Sequence, residues 1–380
     1  MQRKIVLPVI IAATFVAAIA FSCSKSGANN GGNGGSGGGG NSSGQDSILL
    51  NLGNNVILPG YQSLNKAVSS LDSAITDFNS QPGASRLSNV QTLFKNAYLA
   101  WVSVSAFNYF GPAYSAQPVL TTLNVFPTST TRIESNVSAG STDINTFVNT
   151  AAKGFPALDY LLFGGGGATI NGYTTDGLAA NRKKYLAAVS ADIKTEIGAV
   201  ATSWNTYVTT FISGKGNSVS SSLGLLINSM DQDFEITKND RLGIPLGLIP
   251  VGTTAPVQPK EVEAYYSGIS VQLALAQVRS VQGIVLGTGG NGNGLGLIDY
   301  VVAAKAKYGT GLLSDTIRTV LAVDVQDFQA IPDPLSQSIQ TNASPAQAAF
   351  TQSQKLVALL KADMPSALGV LITYGDNDGD

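Results

Sequence analysis

The sequence predicts an all-α protein that consists of two helical bundles in tandem. Apolar residues recur at three- and four-residue spacing over several long windows, which is the periodicity of helices with one buried face. Gly/Pro-rich segments separate these windows, and no window sustains the alternation that a β-hairpin requires. About 330 residues follow Ser47, which is enough for two domains with cores of their own.

The first half, residues 47–214, begins with two predicted helices. The first ends before Pro82-Gly83, and its apolar face consists of Leu64, Val68, Leu71, Ile75 and Phe78. We expect Ser85 to cap the second helix, which stops near Gly111-Pro112. The apolar face of this helix includes Leu87, Val90, Phe94, Ala97, Trp101 and Val104. An irregular stretch is expected from there to about Asp143.

Two further helical segments complete the first half. The first runs from Asp143 to about Phe163 and contains Pro156. Because proline fits the first turn of a helix but kinks its interior, Pro156 either starts a short helix or places a bend beside Asp159. The second segment, Asn181–Ile212, has the longest helical pattern of this half.

The second half, residues 215–380, begins at the predicted boundary Gly214-Lys215-Gly216. Its helices are predicted at about Val219–Lys238, Glu261–Val281, Gly296–Lys307, Leu312–Gln329 and Pro345–Ile372. The glycine-rich string Gly287–Gly296 is interpreted as a loop, because it does not follow a strand and open a helix as a phosphate-binding motif would.

The N-terminal sequence predicts a bacterial lipoprotein. Residues 1–22 have a positive start at Arg3 and Lys4 and an apolar stretch from Ile5 to Phe21, and Cys23 follows as the predicted lipidation site. A retained membrane anchor is the alternative, since the apolar run approaches the lower limit for a span. Residues 23–46 are rich in Gly, Ser and Asn and predict a flexible tether. We therefore expect a protein that is lipid-anchored in the cell envelope, on the outer membrane, facing the periplasm or the surface.

The composition excludes several classes of function. The chain has 22 basic and 24 acidic residues, and charged residues make up 12% of it, against roughly 25% in an average soluble protein. No basic stripe suggests nucleic acid binding. The absence of histidine excludes a Ser-His-Asp triad and a histidine-ligated zinc site. Cys23 is the only cysteine, so the mature chain has no disulfide and no cysteine metal ligand.

The segment from Gly154 to Gly164, GFPALDYLLFG, is the most informative one in the chain. Gly154 permits a close backbone approach, and Asp159 is the one ionisable residue among apolar neighbours. A buried carboxylate needs a cation, a metal or several hydrogen-bond donors, because burying it unpaired is costly. Asp159 is therefore either a ligand or polar anchor in a cleft, or a helix cap or structural salt-bridge partner.

The densest charged region lies in the second half, from Lys238 to Ser267. If the two halves pack face to face, Lys238 or Arg241 is placed to pair with Asp159. Glu263 and Ser267 lie four residues apart, which puts them on one face of the predicted helix. The alternative is a capped helix start with a solvated charge cluster.

These motifs resemble those of the imelysin family, also called the M75 peptidase family. The usual signature of that family is Gly-x-His-x-x-Glu before an apolar run, and this chain has Gly154, Pro156 and Asp159 at the three positions. The sequences KNDRLGIP at Lys238–Pro245 and VEAYYS at Val262–Ser267 resemble the family's K-x-x-R-x-G-x-P loop and V-E-x-x-x-S helix start. The resemblance implies two all-α halves, a site where they meet, export or lipid anchoring, and a link to iron acquisition.

The leading hypothesis is a non-catalytic, envelope-anchored binding protein for iron or an iron-containing ligand. The candidate ligand-binding residues are Gly154, Pro156, Asp159, Lys238, Arg241, Glu263 and Ser267. Asp159 and Glu263, with nearby tyrosines, are candidate oxygen ligands for a ferric ion or another cation. The alternatives are a peptidase, with Asp159 and Glu263 as paired carboxylates, and an adhesion protein with a protein or glycan partner. The expected partners are the membrane, through Cys23, and a small or iron-related ligand.

Overall fold

Helices carry almost all of the regular structure in the computed structural model, which describes residues 42–115, 118–249 and 256–374. The all-α prediction is confirmed for this part of the chain. Its α-helices are α1 (Ser42–Asn51), α2 (Leu58–Ser80), α3 (Ala84–Val102), α4 (Val119–Leu123), α5 (Thr130–Ala139), α6 (Gly154–Phe163), α7 (Asn171–Thr174), α8 (Ala179–Ser213), α9 (Ser222–Ile236), α10 (Ser270–Leu286), α11 (Leu297–Ala304), α12 (Leu313–Gln329), α13 (Leu335–Thr341), α14 (Ser344–Ala358) and α15 (Met364–Leu368).

Shorter elements connect these helices. Three wider, π-helical segments continue neighbouring α-helices, at Leu52–Ile57, Thr237–Gly243 and Leu359–Asp363. The 3-10 turns are Ser105–Phe107, Gly111–Ala113, Phe147–Ala152 and Gly165–Ala168. Two small antiparallel hairpins pair β1 (Thr288–Gly289) with β2 (Gly292–Asn293) and β3 (Lys307–Tyr308) with β4 (Gly311–Leu312). Most of the glycine-rich string that was interpreted as a loop therefore forms the first hairpin and its connections.

The first half is built on α2, α3 and α8. Helix α2 packs along both α3 and α8, and the apolar stripe that predicted it is buried, including Leu64 and Phe78. Ser85 does not cap α3, because the extended Gly83 precedes the helix and its carbonyl accepts the first helical hydrogen bond, from Leu87 N at 2.9 Å. The stretch expected to be irregular contains α4 and α5, and the Ser129 hydroxyl caps α5.

The second half contains the largest departure from the sequence-based expectation. The helix predicted over Glu261–Val281 begins only at Ser270, as α10. The residues before it form an irregular segment, 256–269, called the wall segment below. Ala264 and Gly268 in this segment have positive φ angles of 52° and 68°, which a right-handed helix excludes. Glu263 and Ser267 therefore do not share a helix face.

The two predicted halves share one hydrophobic core. Buried apolar residues form a single cluster that extends from Ile48 to Val370, and α10 of the second half packs against α3 of the first. The described residues between 42 and 374 accordingly belong to one compact unit. Helix α8 does end at Ser213, beside the expected boundary, but the division into two domains stays a prediction.

The predicted signal sequence, Cys23 and the predicted tether as far as residue 41 lie outside the described residues. Residues 42–46, also predicted to belong to the flexible tether, form the first turns of α1 instead. Among the residues that are described, no helix is long and apolar enough to cross a bilayer.

Candidate functional site

The signature segment forms helix α6, whose first residue can only be glycine. Gly154 has a φ of 74°, and a Cβ atom there would lie 2.3 Å from the carbonyl oxygen of Leu123. Pro156 occupies the first turn of α6, where its missing N–H leaves no hydrogen bond unmade. Of the two expectations for Pro156, a short helix that starts there is the one observed. The close approach of Gly154 to Leu123 of α4 fixes the position of α6, and with it the direction in which the Asp159 side chain projects.

Asp159 joins α6 to the wall segment. Its side chain is 2% exposed. One carboxylate oxygen, Oδ2, accepts the backbone N–H of Tyr266 at 2.9 Å, and the other, Oδ1, accepts the backbone N–H of Ser267 at 2.9 Å. These two hydrogen bonds, called the Asp159 latch below, connect residues that are 107 and 108 positions apart in the chain. They also occupy two N–H groups that a helix through this segment would need.

Burial dominates the electrostatics of Asp159. Removal from water raises the pKa of Asp159 from its ordinary value of 3.8 to about 6. The neighbouring Ser267 hydroxyl, the two latch N–H groups and the ammonium of Lys95 lower this pKa, but they do not offset burial. The Ser267 hydroxyl is itself buried without a hydrogen-bond partner at normal distance. Asp159 is therefore held by donors rather than by a counter-ion.

A cleft of about 390 Å³ opens between α6 and the wall segment. Its lining includes Pro156 and Asp159 from the signature, and Lys260, Tyr265 and Tyr266 from the wall segment. The cleft is called the signature cleft below. It combines an apolar floor, two tyrosine rings and one exposed cation, which is the usual make-up of a site for a small ligand.

Behind the signature cleft, Arg241 and Glu263 form a buried ion pair. The Arg241 Nε–H donates to Glu263 Oε2 at 2.5 Å, and Arg241 Nη1 donates to the Thr237 hydroxyl at 2.7 Å. Glu263 Oε1 accepts from Asn124 Nδ2 at 2.8 Å and from the Tyr98 hydroxyl at 3.2 Å. Glu263 thus connects both predicted halves, since Asn124 and Tyr98 belong to the first.

The sequence model of the imelysin family, peptidase family M75, matches residues 57–362. The chain belongs to the imelysin family. Two crystal structures share its fold. One is described as an iron-regulated protein A precursor from Parabacteroides distasonis. It superposes with a TM-score of 0.72 at 16% sequence identity, and the match includes 88% of this chain and 97% of the Parabacteroides chain. The other is an imelysin-like protein from Psychrobacter arcticum, with a TM-score of 0.67 at 17% sequence identity. This match includes 87% of the present chain and 97% of the Psychrobacter chain. No curated protein matches the chain.

The structure of this imelysin brings only some of the expected residues together. Arg241 does not pair with Asp159, because the carboxylate of Glu263 is its partner. Lys238 is buried near Asp231 of α9; burial raises the pKa of Asp231 to about 7, and the positive charge of Lys238 opposes this shift only in part. Pro156 and Asp159 line the signature cleft, Gly154 begins the same helix, and the N–H of Ser267 donates to Asp159. A ligand-binding role for these residues stays a prediction.

The metal role expected for Asp159 and Glu263 stays a prediction. Within residues 42–115, 118–249 and 256–374, no group of three or more His, Cys, Asp or Glu side chains is placed to hold a metal ion. Asp159 accepts two backbone N–H groups, and Glu263 accepts Arg241, Asn124 and Tyr98. Any cation at either carboxylate would compete with these donors.

Three kinds of residue at this site escaped the sequence-based reasoning. Tyr98 has the spacing of a core residue on α3, and Asn124 falls in the stretch expected to be irregular, yet both hydrogen-bond Glu263. Lys260, Tyr265 and Tyr266 line the signature cleft but carry no motif position of their own. The available signal was local: Lys260 and the pair Tyr265-Tyr266 lie within the densest charged region of a chain with 12% charged residues.

Proposed function

We propose that this imelysin is a non-catalytic binding protein of the bacterial envelope, associated with iron acquisition, that holds its ligand in the signature cleft between its helical halves. The observation that carries this proposal is the Asp159 latch. A carboxylate buried to 2% exposure pins the tyrosine-bearing wall segment against α6. Because the wall segment is already held in place before the ligand arrives, less conformational entropy is lost on binding.

The charges in the signature cleft favour an anionic ligand over a bare cation. Asp159 is its one acidic lining residue, and the latch already engages both oxygens. Lys260 is exposed and supplies positive charge. A ferric ion bound by the protein alone would need several oxygen ligands, whereas a ferric ion within an organic chelate brings its own. The name of the iron-regulated relative supports iron as the metal.

Two observations support a binding role rather than peptidase chemistry. The chain has no histidine to act as a general base or zinc ligand. The carboxylates considered as a catalytic pair, Asp159 and Glu263, are 2% and 1% exposed, and each of their oxygens already accepts a hydrogen bond from the protein. A peptidase that uses paired carboxylates needs one of them in contact with water or substrate.

Anchoring through Cys23 is part of the proposal and rests on the N-terminal sequence. We expect Cys23→Ser to move the protein from the membrane to the soluble fraction of cells. Membrane association that persists in this variant would contradict lipid attachment and favour the retained anchor.

Ferric citrate, an anionic iron chelate, is the probe that tests the binding role. The full-length protein in detergent is incubated with ferric citrate, separated by gel filtration and analysed for iron. We expect about one iron per chain, with about tenfold weaker binding in Lys260→Glu, where the charge that meets the chelate is reversed. Lys307→Glu, at an exposed lysine of β3, is the matched control and should bind as the wild type does.

Wild-type protein that retains no iron would refute the binding role for chelates. Equal losses in Lys260→Glu and Lys307→Glu would show a general charge effect and remove the signature cleft from the proposal. Retention of bare manganese or nickel ions instead of the chelate would point to direct coordination by protein oxygens.

A further inference from the structure

A second groove, of about 650 Å³, lies beside the signature cleft. The two share Lys260, Tyr265 and Tyr266, so the two tyrosines form a ridge between them, called the tyrosine ridge below. The rings of Tyr265 and Tyr266 meet edge to face, with centroids 5.1 Å apart and planes at 88°. Tyr265 is 37% exposed, which leaves part of its ring open to a ligand.

Apart from Asp333, the opposite wall of this groove carries no charged residue. It is formed by Pro334 and by Ser336, Gln337 and Gln340 of α13. Both glutamines are exposed. Gln340 donates through Nε2 to the Ser336 carbonyl at 2.6 Å, which orients its amide. The groove therefore offers amide and hydroxyl groups opposite an aromatic ring.

The acidic residue in the groove, Asp333, holds the backbone. Its Oδ1 accepts the N–H of Val271 at 2.9 Å, and its Oδ2 accepts the N–H and the side-chain amide of Gln272, each at 3.2 Å. Asp333 thus caps the start of α10, where backbone N–H groups favour a negative charge. Its carboxylate is occupied in this way, so it does not make the groove a cation site.

Two aspartates keep the tyrosine ridge in place. Asp159 binds the N–H groups of Tyr266 and Ser267, and Asp333 binds those of Val271 and Gln272. The stretch between these contacts is only seven residues long from Tyr266 to Gln272. The ridge is therefore anchored at Tyr266 itself, and the chain that follows it is fixed again at Val271 and Gln272, before any ligand binds. This favours recognition by a preformed surface.

We propose that this groove binds a carbohydrate chain, with the Tyr265 ring against the face of one sugar and the amides of Gln337 and Gln340 bonded to sugar hydroxyls. A tyrosine ring supplies flat apolar area and a polar edge, and neutral amides both donate and accept hydrogen bonds. The groove has no strand edge or deep apolar pocket of the kinds that extended or helical peptides occupy. Lys260 is its one basic lining residue, which disfavours a polyanion.

This inference goes beyond the proposed function, because Gln337 and Gln340 do not line the signature cleft. The two sites are therefore separable by substitution. Gln337→Ala should weaken carbohydrate binding and leave ferric citrate binding unchanged. Because Gln337 is exposed, this variant is expected to fold as the wild type does.

Calorimetric titration of the full-length protein with neutral oligosaccharides tests the proposal. The probes are maltoheptaose, cellohexaose, chitohexaose, xylohexaose and mannohexaose. We expect at least one to bind, with about tenfold loss of affinity in both Tyr265→Ala and Gln337→Ala. Tyr308→Ala, at an exposed tyrosine of β3, is the matched control and should bind as the wild type does.

The absence of binding to every probe would overturn the proposal. Binding that Tyr265→Ala and Gln337→Ala leave unchanged would overturn it as well, because the carbohydrate would then lie elsewhere. If Tyr308→Ala weakened carbohydrate binding as much as Tyr265→Ala does, the effect would not be specific to the groove, and the proposal would again be overturned. Thermal unfolding followed by circular dichroism confirms that each variant is folded before titration.

Discussion

Replacing Asp159 by asparagine should change how the stability of this imelysin depends on pH. The substitution keeps the shape of the side chain and one oxygen acceptor for the Asp159 latch, but removes the titrating group. In the wild type the carboxylate is 2% exposed, and burial raises the pKa of Asp159 to about 6. The folded protein therefore holds a proton on Asp159 at pH values where the unfolded chain has released it.

The size of the effect follows from the two pKa values. The carboxyl group has its ordinary pKa of 3.8 in the unfolded chain and about 6 in the folded protein. Stability falls with rising pH wherever the folded state binds more protons than the unfolded state. The contribution of Asp159 is therefore complete below about pH 4 and lost as the pH rises through about 6. Its total is about 3 kcal/mol, since each tenfold change in proton affinity is worth about 1.4 kcal/mol.

Urea denaturation of both proteins from about pH 4 to about pH 7 measures this effect. The wild-type free energy of unfolding should fall by about 2 kcal/mol more than that of Asp159→Asn over this range, which is most of the total. Burial also raises the pKa of Asp231 and of Asp324, each to about 7, so only the difference between the proteins isolates Asp159. Asp143→Asn, at an exposed position, should follow the wild type. Parallel curves for wild type and Asp159→Asn would refute the buried, proton-linked latch.

Three further substitutions test other features. Gly154→Ala should lower the free energy of unfolding by more than about 2 kcal/mol in urea denaturation, because φ is 74° and the added Cβ would clash with Leu123; wild-type stability would contradict the backbone described for α6. Glu263→Gln should lower the free energy of unfolding by about 3–5 kcal/mol, because Arg241 is left buried without its counter-ion. The double variant with Arg241→Met should lose less than the sum of the two single variants. Additive losses would exclude coupling between the two residues. Lys305→Gly should raise the free energy of unfolding by about 1 kcal/mol, because Lys305 has a φ of 53° at the exposed end of α11 and glycine adopts this left-handed conformation without strain. A lower melting temperature in this variant would argue against that conformation.

Helices with one wide apolar face could be predicted from the sequence almost to their ends. Helix α2 ends at Ser80, just before Pro82-Gly83, and α8 spans Ala179–Ser213 around the expected Asn181–Ile212. The periodicity succeeds there because burial of the stripe is what stabilises the helix. It fails for Glu261–Val281, where the spacing is as regular but a distant carboxylate binds the N–H groups of Tyr266 and Ser267. Local spacing contains no information about a contact more than 100 positions away.

The candidate site shows the same limit. Asp159 could be identified from its own neighbours, because a lone carboxylate in an apolar run must have a partner. Its partners could not, because backbone N–H groups leave no trace in the residue types at positions 266 and 267. Arg241 was considered as a partner of Asp159 because both carry formal charge, yet it pairs with Glu263 at 2.5 Å. Side-chain identity restricts the set of partners, and the fold chooses among them.

The Asp159 latch also affects how the wall segment can change over generations. The carboxylate binds main-chain N–H groups, so the ring of Tyr266 is not part of the latch, whereas the hydroxyl of Ser267 lies near Asp159 and lowers its pKa. Every amino acid except proline offers the N–H group that the latch requires. Substitutions at position 266, whose side chain lines the signature cleft, can therefore alter what the cleft recognises while the latch is kept. A lineage that keeps Asp159 retains a stable scaffold on which ligand preference is free to diverge.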